Sequence, residues 1–308
     1  MPINNNLPDK KFPVAFKYGK DPVTEYKEHL NAIRVELIDA PTYQQLLSYI
    51  PSYALATWED EPRNDYSYKE REKAVEDLFE GKVLPTALET IGLTFLISNI
   101  DLIDVTHLIR HRSMSFSAHC TGDRDQRNDP CLVKSSIIHS EFYDRFTELV
   151  HATKQLYADM VDSELISILD ARTILPRALT NHYYARVNLR DFIGFLHQRL
   201  DRQIQPESDN IVALKMLVEA DKRLPGIAKC IDLDKPDMWY VKTAQTDHSS
   251  NLYMPEIPRN DVFEYKAQWF MYKRQRSKML GGYVFTRIWN NLTNQLKLQQ
   301  KRREERLR

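Results

Sequence analysis

The sequence predicts an α+β fold, a sheet flanked by helices, and three observations carry that expectation. Residues 35–39 (VELID) read as a short strand, and the apolar, partly β-branched run 91–97 (IGLTFLI) has the length of a buried strand rather than a helix. Around them lie stretches in which apolar residues recur every three or four positions, the period of an amphipathic helix. The chain has 308 residues, 42% of them apolar, enough to fill a sizeable core as one large domain or two ordinary ones.

Taken in order, residues 1–33 hold three prolines by Pro13 and many charges, and read as an N-terminal arm outside the core. The strand at 35–39 leads into a helix through Leu46, Leu47 and Ile50. Ser67 and Glu70 form a capping-box pattern, and the helix they start runs through Val75, Leu78 and Phe79 to Gly81, where a glycine stop is expected. After the strand at 91–97, the spacing of Leu102, Val105, Leu108 and Ile109 predicts a helix over 101–110.

Phe142, Phe146, Leu149, Leu156 and Met160 mark a long amphipathic helix, and a second is expected from Ser163 to just before Pro176. In that second helix Leu165, Leu169 and Arg172 share one face, which turns Arg172 inward and asks for a polar or anionic partner. A further helix over 188–202 gathers Leu189, Phe192, Ile193, Leu196 and Leu200 on one stripe, with Arg190 and Arg199 on opposite flanks. Residues 34–235 thus form the main domain. Residues 236–308 read as a mostly helical C-terminal extension interrupted at Gly281-Gly282, expected to pack on an assembly or a neighbour and ending in a basic tail.

Charge and cysteine content narrow the function. Lys plus Arg (43) equal Asp plus Glu (43), so no global field favours nucleic acid or a membrane surface, and an anion site must come from local clustering. The basic tail at 301–306 is read as a solvated helix end. Cys120, Cys131 and Cys230 make neither a paired framework nor a metal motif, which suggests a reducing, cytoplasmic setting. His107, His119 and His182 lack ligand spacing, so no metal is expected. No uninterrupted apolar run approaches the ~18 residues of a membrane span.

Local clustering appears at Arg110-His111-Arg112, followed after seven residues by Cys120. Three adjacent basic side chains repel one another and resist desolvation, so the triplet asks for an anion or polar cofactor. The triplet and its spacing resemble the signature of the flavin-dependent thymidylate synthases. Thr86-Ala87-Leu88-Glu89-Thr90, Ala171-Arg172-Thr173-Ile174-Leu175-Pro176 and Val187-Asn188-Leu189-Arg190 with Phe195-Leu196-x-x-Arg199 agree in order and spacing. The resemblance covers roughly residues 35 to 231.

What the resemblance implies is a flavin-dependent thymidylate synthase-like fold and a homotetramer with active sites between subunits. FAD would be the cofactor, and NADPH and methylenetetrahydrofolate co-substrates, for C5 methylation of deoxyuridine monophosphate. By position it implies flavin contacts at Thr86, Glu89, Arg110, His111, Arg112, Asn188, Arg190 and Gly194. Nucleotide contacts fall at His107, Arg110, Cys120, Thr121, Gly122, Arg124, Arg172 and Arg199, with Arg199 favouring ionisation of the uracil N3. Arg suits both tasks, since its planar fork binds phosphate bidentately and keeps its charge.

The chain departs from the family pattern mainly between Ser113 and Arg124. Cys120 stands for a Ser, Ser117-Ala118 for Asn-Glu, and Gly122 for an Arg; elsewhere His107 stands for a Gln, Leu84 for a His and Gly194 for an Asn. Cys120 is therefore a candidate nucleophile as well as a candidate lining residue, with Arg110, Arg112 and Arg124 as possible activators. Two alternatives stay open: an FAD- and folate-dependent pyrimidine hydroxymethylase, and a non-catalytic nucleotide-binding or assembly protein on the same scaffold.

Overall fold

The structure, a computed structural model, describes residues 26–56, 58–200, 206–231 and 284–306. Its strands are β1 (Tyr26–Glu28), β2 (Arg34–Asp39), β3 (Gly92–Asp101), β4 (Ser115–Ala118), β5 (Cys131–Val133) and β6 (Thr180–Asn188). The helices that frame them are α1 (His29–Ala32), α2 (Tyr43–Leu55), α3 (Tyr68–Phe79), α4 (Leu102–Leu108) and α5 (Ser135–Ile138). There follow α6 (Tyr143–Asp162), α7 (Ile168–Ala171), α8 (Leu189–Arg199), α9 (Glu207–Arg223) and α10 (284–306).

Four strands make one sheet in the order β2-β3-β6-β4, antiparallel throughout, while β1 and β5 form a separate parallel pair. The sheet follows from period-2 alternation. In β6, Asn181, Tyr183, Ala185 and Val187 are buried, whereas His182, Tyr184 and Arg186 face out. Register sets Ala185 opposite Phe95 and Val187 opposite Leu93, so their inner faces coincide. Against that face packs α8, whose Phe192 ring lies 5.4 Å from that of Phe95. Most of the apolar interior belongs to this layer, with α2, α3 and α9 completing it. A smaller apolar cluster gathers Cys131, Val150, Tyr157, Ala171, Leu175 and Leu179 beside α6.

Both capping expectations for α3 hold. Ser67 Oγ accepts from Glu70 N at 3.3 Å, Glu70 Oε2 accepts from Ser67 N at 2.7 Å, and Gly81 takes a left-handed φ of 73° past the helix end.

Other expectations need correction. Residues 26–33 are no loose arm: His29, Leu30 and Ile33 are buried, because α1 packs beside β3 and α9. The face of α6 is also different. Val150, Lys154, Tyr157 and Ala158 are buried, while Phe142, Leu149 and Leu156 are exposed; a wide apolar stripe leaves the choice of inward edge to the neighbours. No long second helix starts at Ser163. Glu164 has φ 57°, Leu165 is exposed, and the segment shrinks to α7 plus a 3₁₀ turn, Arg172–Ile174.

The expectation for the extension changes too. The Gly281-Gly282 interruption lies outside the described residues, but α10 packs on its own chain through Val284, Phe285, Trp289 and Leu296. Arg303 lies over the Tyr43 ring, 5.1 Å from its centroid, and donates to Tyr43 Oη at 2.8 Å.

Candidate active site

The triplet falls in the turn between α4 and β4. Asp101 caps α4 by accepting from Asp104 N at 2.9 Å, which starts the helix and sets where the triplet emerges. Arg110 and Arg112 are exposed, whereas His111 turns inward against Phe195, with ring centroids 4.8 Å apart. Its Nε2 accepts from Arg199 Nε at 2.7 Å. Burial, then the positive charge of Arg199, lowers the His111 pKa to about 4. His111 is thus a neutral imidazole at pH 7, its proton on Nδ1.

His111 lines a cavity of about 240 Å³ whose other walls are Glu89, Ser113, Arg190, Asp191, Gly194, Phe195 and Gln198. The 3₁₀ turn Pro85–Thr90 brings Glu89, and α8 brings the rest but Ser113. Arg190 pairs with Glu89 across the opening. Asn188 caps α8 through Oδ1 to Asp191 N at 2.9 Å and donates Nδ2 to Asp191 Oδ2 at 2.7 Å, which fixes that carboxylate. Asn188 therefore acts on the cavity through Asp191.

Behind this wall Arg199 is buried at 7% exposure. Its Nη1 donates to Asp209 Oδ2 at 3.0 Å, and its Nη2 to the His107 carbonyl at 3.2 Å. His107 Nδ1 lies 2.6 Å from the same Asp209 oxygen. Of the two arginines expected on opposite flanks of α8, Arg190 lines the cavity and Arg199 is buried.

Cys120 lies beyond β4, in an exposed loop. Its Sγ receives Gly122 N at 3.3 Å and lies 3.6 Å from Arg172 Nη1. Arg172 is only half buried, and its Nε donates to the Leu169 carbonyl at 3.0 Å, so its expected inward turn is replaced by this contact. A Cβ on Gly122 would come within 2.5 Å of Leu169 Cδ2 and 2.8 Å of Arg172 Nη1, so a larger residue there would displace the ends of these two side chains. Arg124 does not serve the thiol, being engaged by Asp129 Oδ2 at 2.7 Å and His119 Nε2 at 3.0 Å. Thr121 is half-buried in the same loop.

The expected residues thus fall into two groups. Glu89, His111, Arg190 and Gly194 share the cavity, with Arg199 and His107 joined to it through His111. Cys120, Gly122 and Arg172 form the second group. Thr86, Arg110 and Arg112 are exposed and line no part of the cavity. Sequence reading missed Asp209, Asp191, Ser113, Phe195 as a wall, and Gln198. The i, i+3, i+4 relation to Arg190 and Gly194 could have found Asp191 and Gln198; nothing local marks Asp209.

Among the described residues one metal-like group occurs, His29 with Asp101 and Asp104. The Lys134 ammonium sits in it, 2.9 Å from Asp101 Oδ2 and 3.0 Å from Asp104 Oδ1. Burial raises the Asp104 carboxyl, but His29 and Lys134 outweigh it and hold the pKa low.

An antiparallel sheet covered by helices, with a polar cavity under a basic turn, defines an α+β protein built around a ligand cavity. Residues 39–226 match the family model described as Thy1, thymidylate synthase complementing protein, and the chain belongs to that family. The flavin-dependent thymidylate synthase of Pyrococcus furiosus is 27% identical over 191 residues, 60% of this chain and 75% of that protein. That of Thermococcus onnurineus is 28% identical over 190 residues, 60% and 74% of the two chains. In fold, the chain is similar to the crystal structure of a UMP/dUMP methylase, PolB from Streptomyces cacaoi bound with 5-Br dUMP. The TM-score is 0.54 at 21% identity, covering 67% of this chain and 96% of that one. No helix among the described residues is long and apolar enough to cross a membrane.

Proposed function

We propose that the protein is a flavin-dependent pyrimidine nucleotide methylase, carrying a one-carbon unit from methylenetetrahydrofolate to C5 of deoxyuridine monophosphate with FAD as cofactor and NADPH as reductant. The observation that carries this reading is the cavity. It gathers Glu89, His111, Arg190 and Gly194, four residues about a hundred positions apart at the extremes, each of which the family resemblance marks as a flavin contact.

The donor set fits part of such a cofactor. A cavity of about 240 Å³ is smaller than the roughly 300–1,000 Å³ of sites that enclose a whole ligand. Completion by a second subunit, as in a homotetramer with shared sites, accords with that. Two carboxylates against one guanidinium and a neutral imidazole suit an uncharged, hydrogen-bonding part of FAD, while the exposed Arg110 and Arg112 suit its phosphates. When bound, the flavin supplies the electron transfer that converts the one-carbon unit to a methyl group.

The chain's own residues position and polarise. Arg190, Ser113 and Gln198 offer donors at the cavity wall, and Phe195 offers a flat apolar surface. Arg199 is a buried, fixed cation whose field stabilises negative charge on a pyrimidine ring without surrendering a proton. Arg172 beside Cys120 offers a fork for the nucleotide phosphate, with Thr121, Gly122 and Arg124 shaping the loop around it. Cys120 is assigned to the lining of that loop.

A second reading, hydroxymethylation, is favoured by the loop itself, where Cys120 and Gly122 replace the family's Ser and Arg. Purified full-length protein decides between them. The expected results are a flavin spectrum or micromolar uptake of FAD, and a product heavier than substrate by one methylene when methylenetetrahydrofolate and NADPH are supplied. Uridine monophosphate is tested beside the deoxynucleotide because PolB is described as a methylase of both. A product heavier by a further oxygen establishes the hydroxymethylase, and a colourless protein that takes up no FAD and forms no product favours the non-catalytic reading.

A further inference from the structure

We propose that Asp209 is a positioning residue of the nucleotide site, holding His107 in its Nδ1–H tautomer and Arg199 in a fixed orientation. The inference rests on the functional reading above for what the site binds, but the arrangement itself rests on geometry. A single carboxylate oxygen, Asp209 Oδ2, lies 2.6 Å from His107 Nδ1 and 3.0 Å from Arg199 Nη1. Asp209 is wholly buried, Arg199 nearly so, while the His107 side chain keeps 35% of its surface exposed. Of the three, His107 is the group open to a ligand.

The tautomer follows from the contact. Carboxylate oxygen only accepts, so a 2.6 Å approach requires the proton to sit on His107 Nδ1, leaving Nε2 an acceptor 3.3 Å from Arg199 Nη1 and the exposed part of the ring to face a ligand. Arg199 cannot drift, because its remaining nitrogens are tied to His111 Nε2 and the His107 carbonyl. Arg199 and His107 are thus one rigid cation-imidazole unit locked by an acid from a third element.

That third element is built for the task. Ser208, Asp209 and Asn210 are consecutive and all buried. Together they tie two helices: Ser208 Oγ donates to Asp104 Oδ1 of α4 at 2.8 Å, Asn210 Nδ2 to the Arg199 carbonyl of α8 at 2.6 Å, and Asp209 reaches both through His107 and Arg199. Asp209 lies in the first turn of α9, where the backbone amides favour a carboxylate. Its Oδ1 has no hydrogen-bond partner among the described residues. Leaving a buried carboxylate oxygen unsatisfied carries a cost that asks for an explanation beyond the pairing itself.

The test combines one measurement that needs no variant with two that do. In ¹⁵N-histidine-labelled full-length protein the His107 ring is expected to be protonated at Nδ1; protonation at Nε2 alone overturns the proposal. Asp209→Asn is expected to raise the KM for deoxyuridine monophosphate roughly tenfold or more, as loss of a charge-assisted hydrogen bond would, while FAD uptake changes less than about twofold. Equal loss of FAD and nucleotide affinity, or an unchanged KM, overturns it. If Asp209→Asn fails to fold, His107→Ala, at a partly exposed position, is expected to reproduce the KM effect with FAD uptake retained, and no KM change overturns the proposal. A wild-type protein that takes up no nucleotide refutes the functional reading and with it the site assigned to Asp209; the His107 tautomer then shows separately whether the geometric pairing is real.

Discussion

The cavity beneath α8 and the loop around Cys120 are built on opposite terms. The cavity is walled by elements of the main core, and its charged groups are already paired: Arg190 with Glu89, Arg199 with Asp209, Asp191 with Asn188. The Cys120 loop rests on the smaller cluster through Gln126, which meets both the Cys120 carbonyl and Tyr157 Oη, and the Leu169 side chain beside Gly122 is exposed. The difference teaches that a preorganised pocket and an incomplete surface share one polypeptide, joined by the short strand β4. Two features of the sequence read as one signature, the triplet and Cys120, therefore belong to two differently supported regions.

The largest expected contrast is in stability. Leu196 is fully buried beneath the cavity, so Leu196→Ala should cost about 2–5 kcal/mol in urea unfolding. Leu149 on the exposed edge of α6 is 49% accessible, and Leu149→Ala should stay within about 0.5 kcal/mol when measured on the dissociated chain. A large loss at Leu149 there would show that the outer face of α6 is covered within one subunit. Next comes cofactor affinity. Arg190→Ala removes the cavity's cation and leaves Glu89 unpaired, and should weaken FAD uptake roughly 10- to 100-fold by fluorescence titration. Unchanged uptake would move the flavin away from this cavity.

A third contrast is pH dependence. With its pKa lowered to about 4, folded His111 stays neutral while the unfolded chain's histidine titrates near an ordinary ~6.5. Between these values the unfolded state binds more protons, so His111's contribution to stability is intact above about pH 6.5 and declines as pH falls toward 4. Residual exposure limits the loss to the order of 1 kcal/mol. His111→Asn should flatten the wild-type decline in urea midpoint between pH 7 and 5, and an unaltered slope would place the titration elsewhere.

How much of this was legible in the sequence depended on how one-sided each element is. α2, α3, α8 and β3 each bury one face, so spacing and caps marked them. β6 alternates cleanly from Asn181 to Val187, a period-2 signal that was present but unread. α9 is buried on nearly every side from Ser208 to Val218, and a helix without a polar face has no stripe to find. Asp209 was invisible for the same reason, since its role comes from α4 and α8 converging on it. In α6 the periodicity located the helix but could not say which edge of a broad stripe turns inward.

The smallest expected effect tests the loop's chemistry. Among the described residues, the two partners of Cys120 Sγ, the Gly122 amide and the Arg172 guanidinium, are donors. Donors favour an anion at sulfur but accept no proton, and a nucleophilic thiol working by general-base activation needs an acceptor that this loop does not place on it. His119 precedes Cys120 in sequence, yet its Nε2 is taken by Arg124 and its ring stacks on His182 at 4.7 Å. Cys120→Ala should therefore keep kcat within about threefold, with a modest rise in nucleotide KM as Arg172 loses its neighbour. A fall of a thousandfold or more with KM unchanged would mark covalent attack by the thiolate instead, and would shift the reacting centre from the preorganised cavity to the open loop.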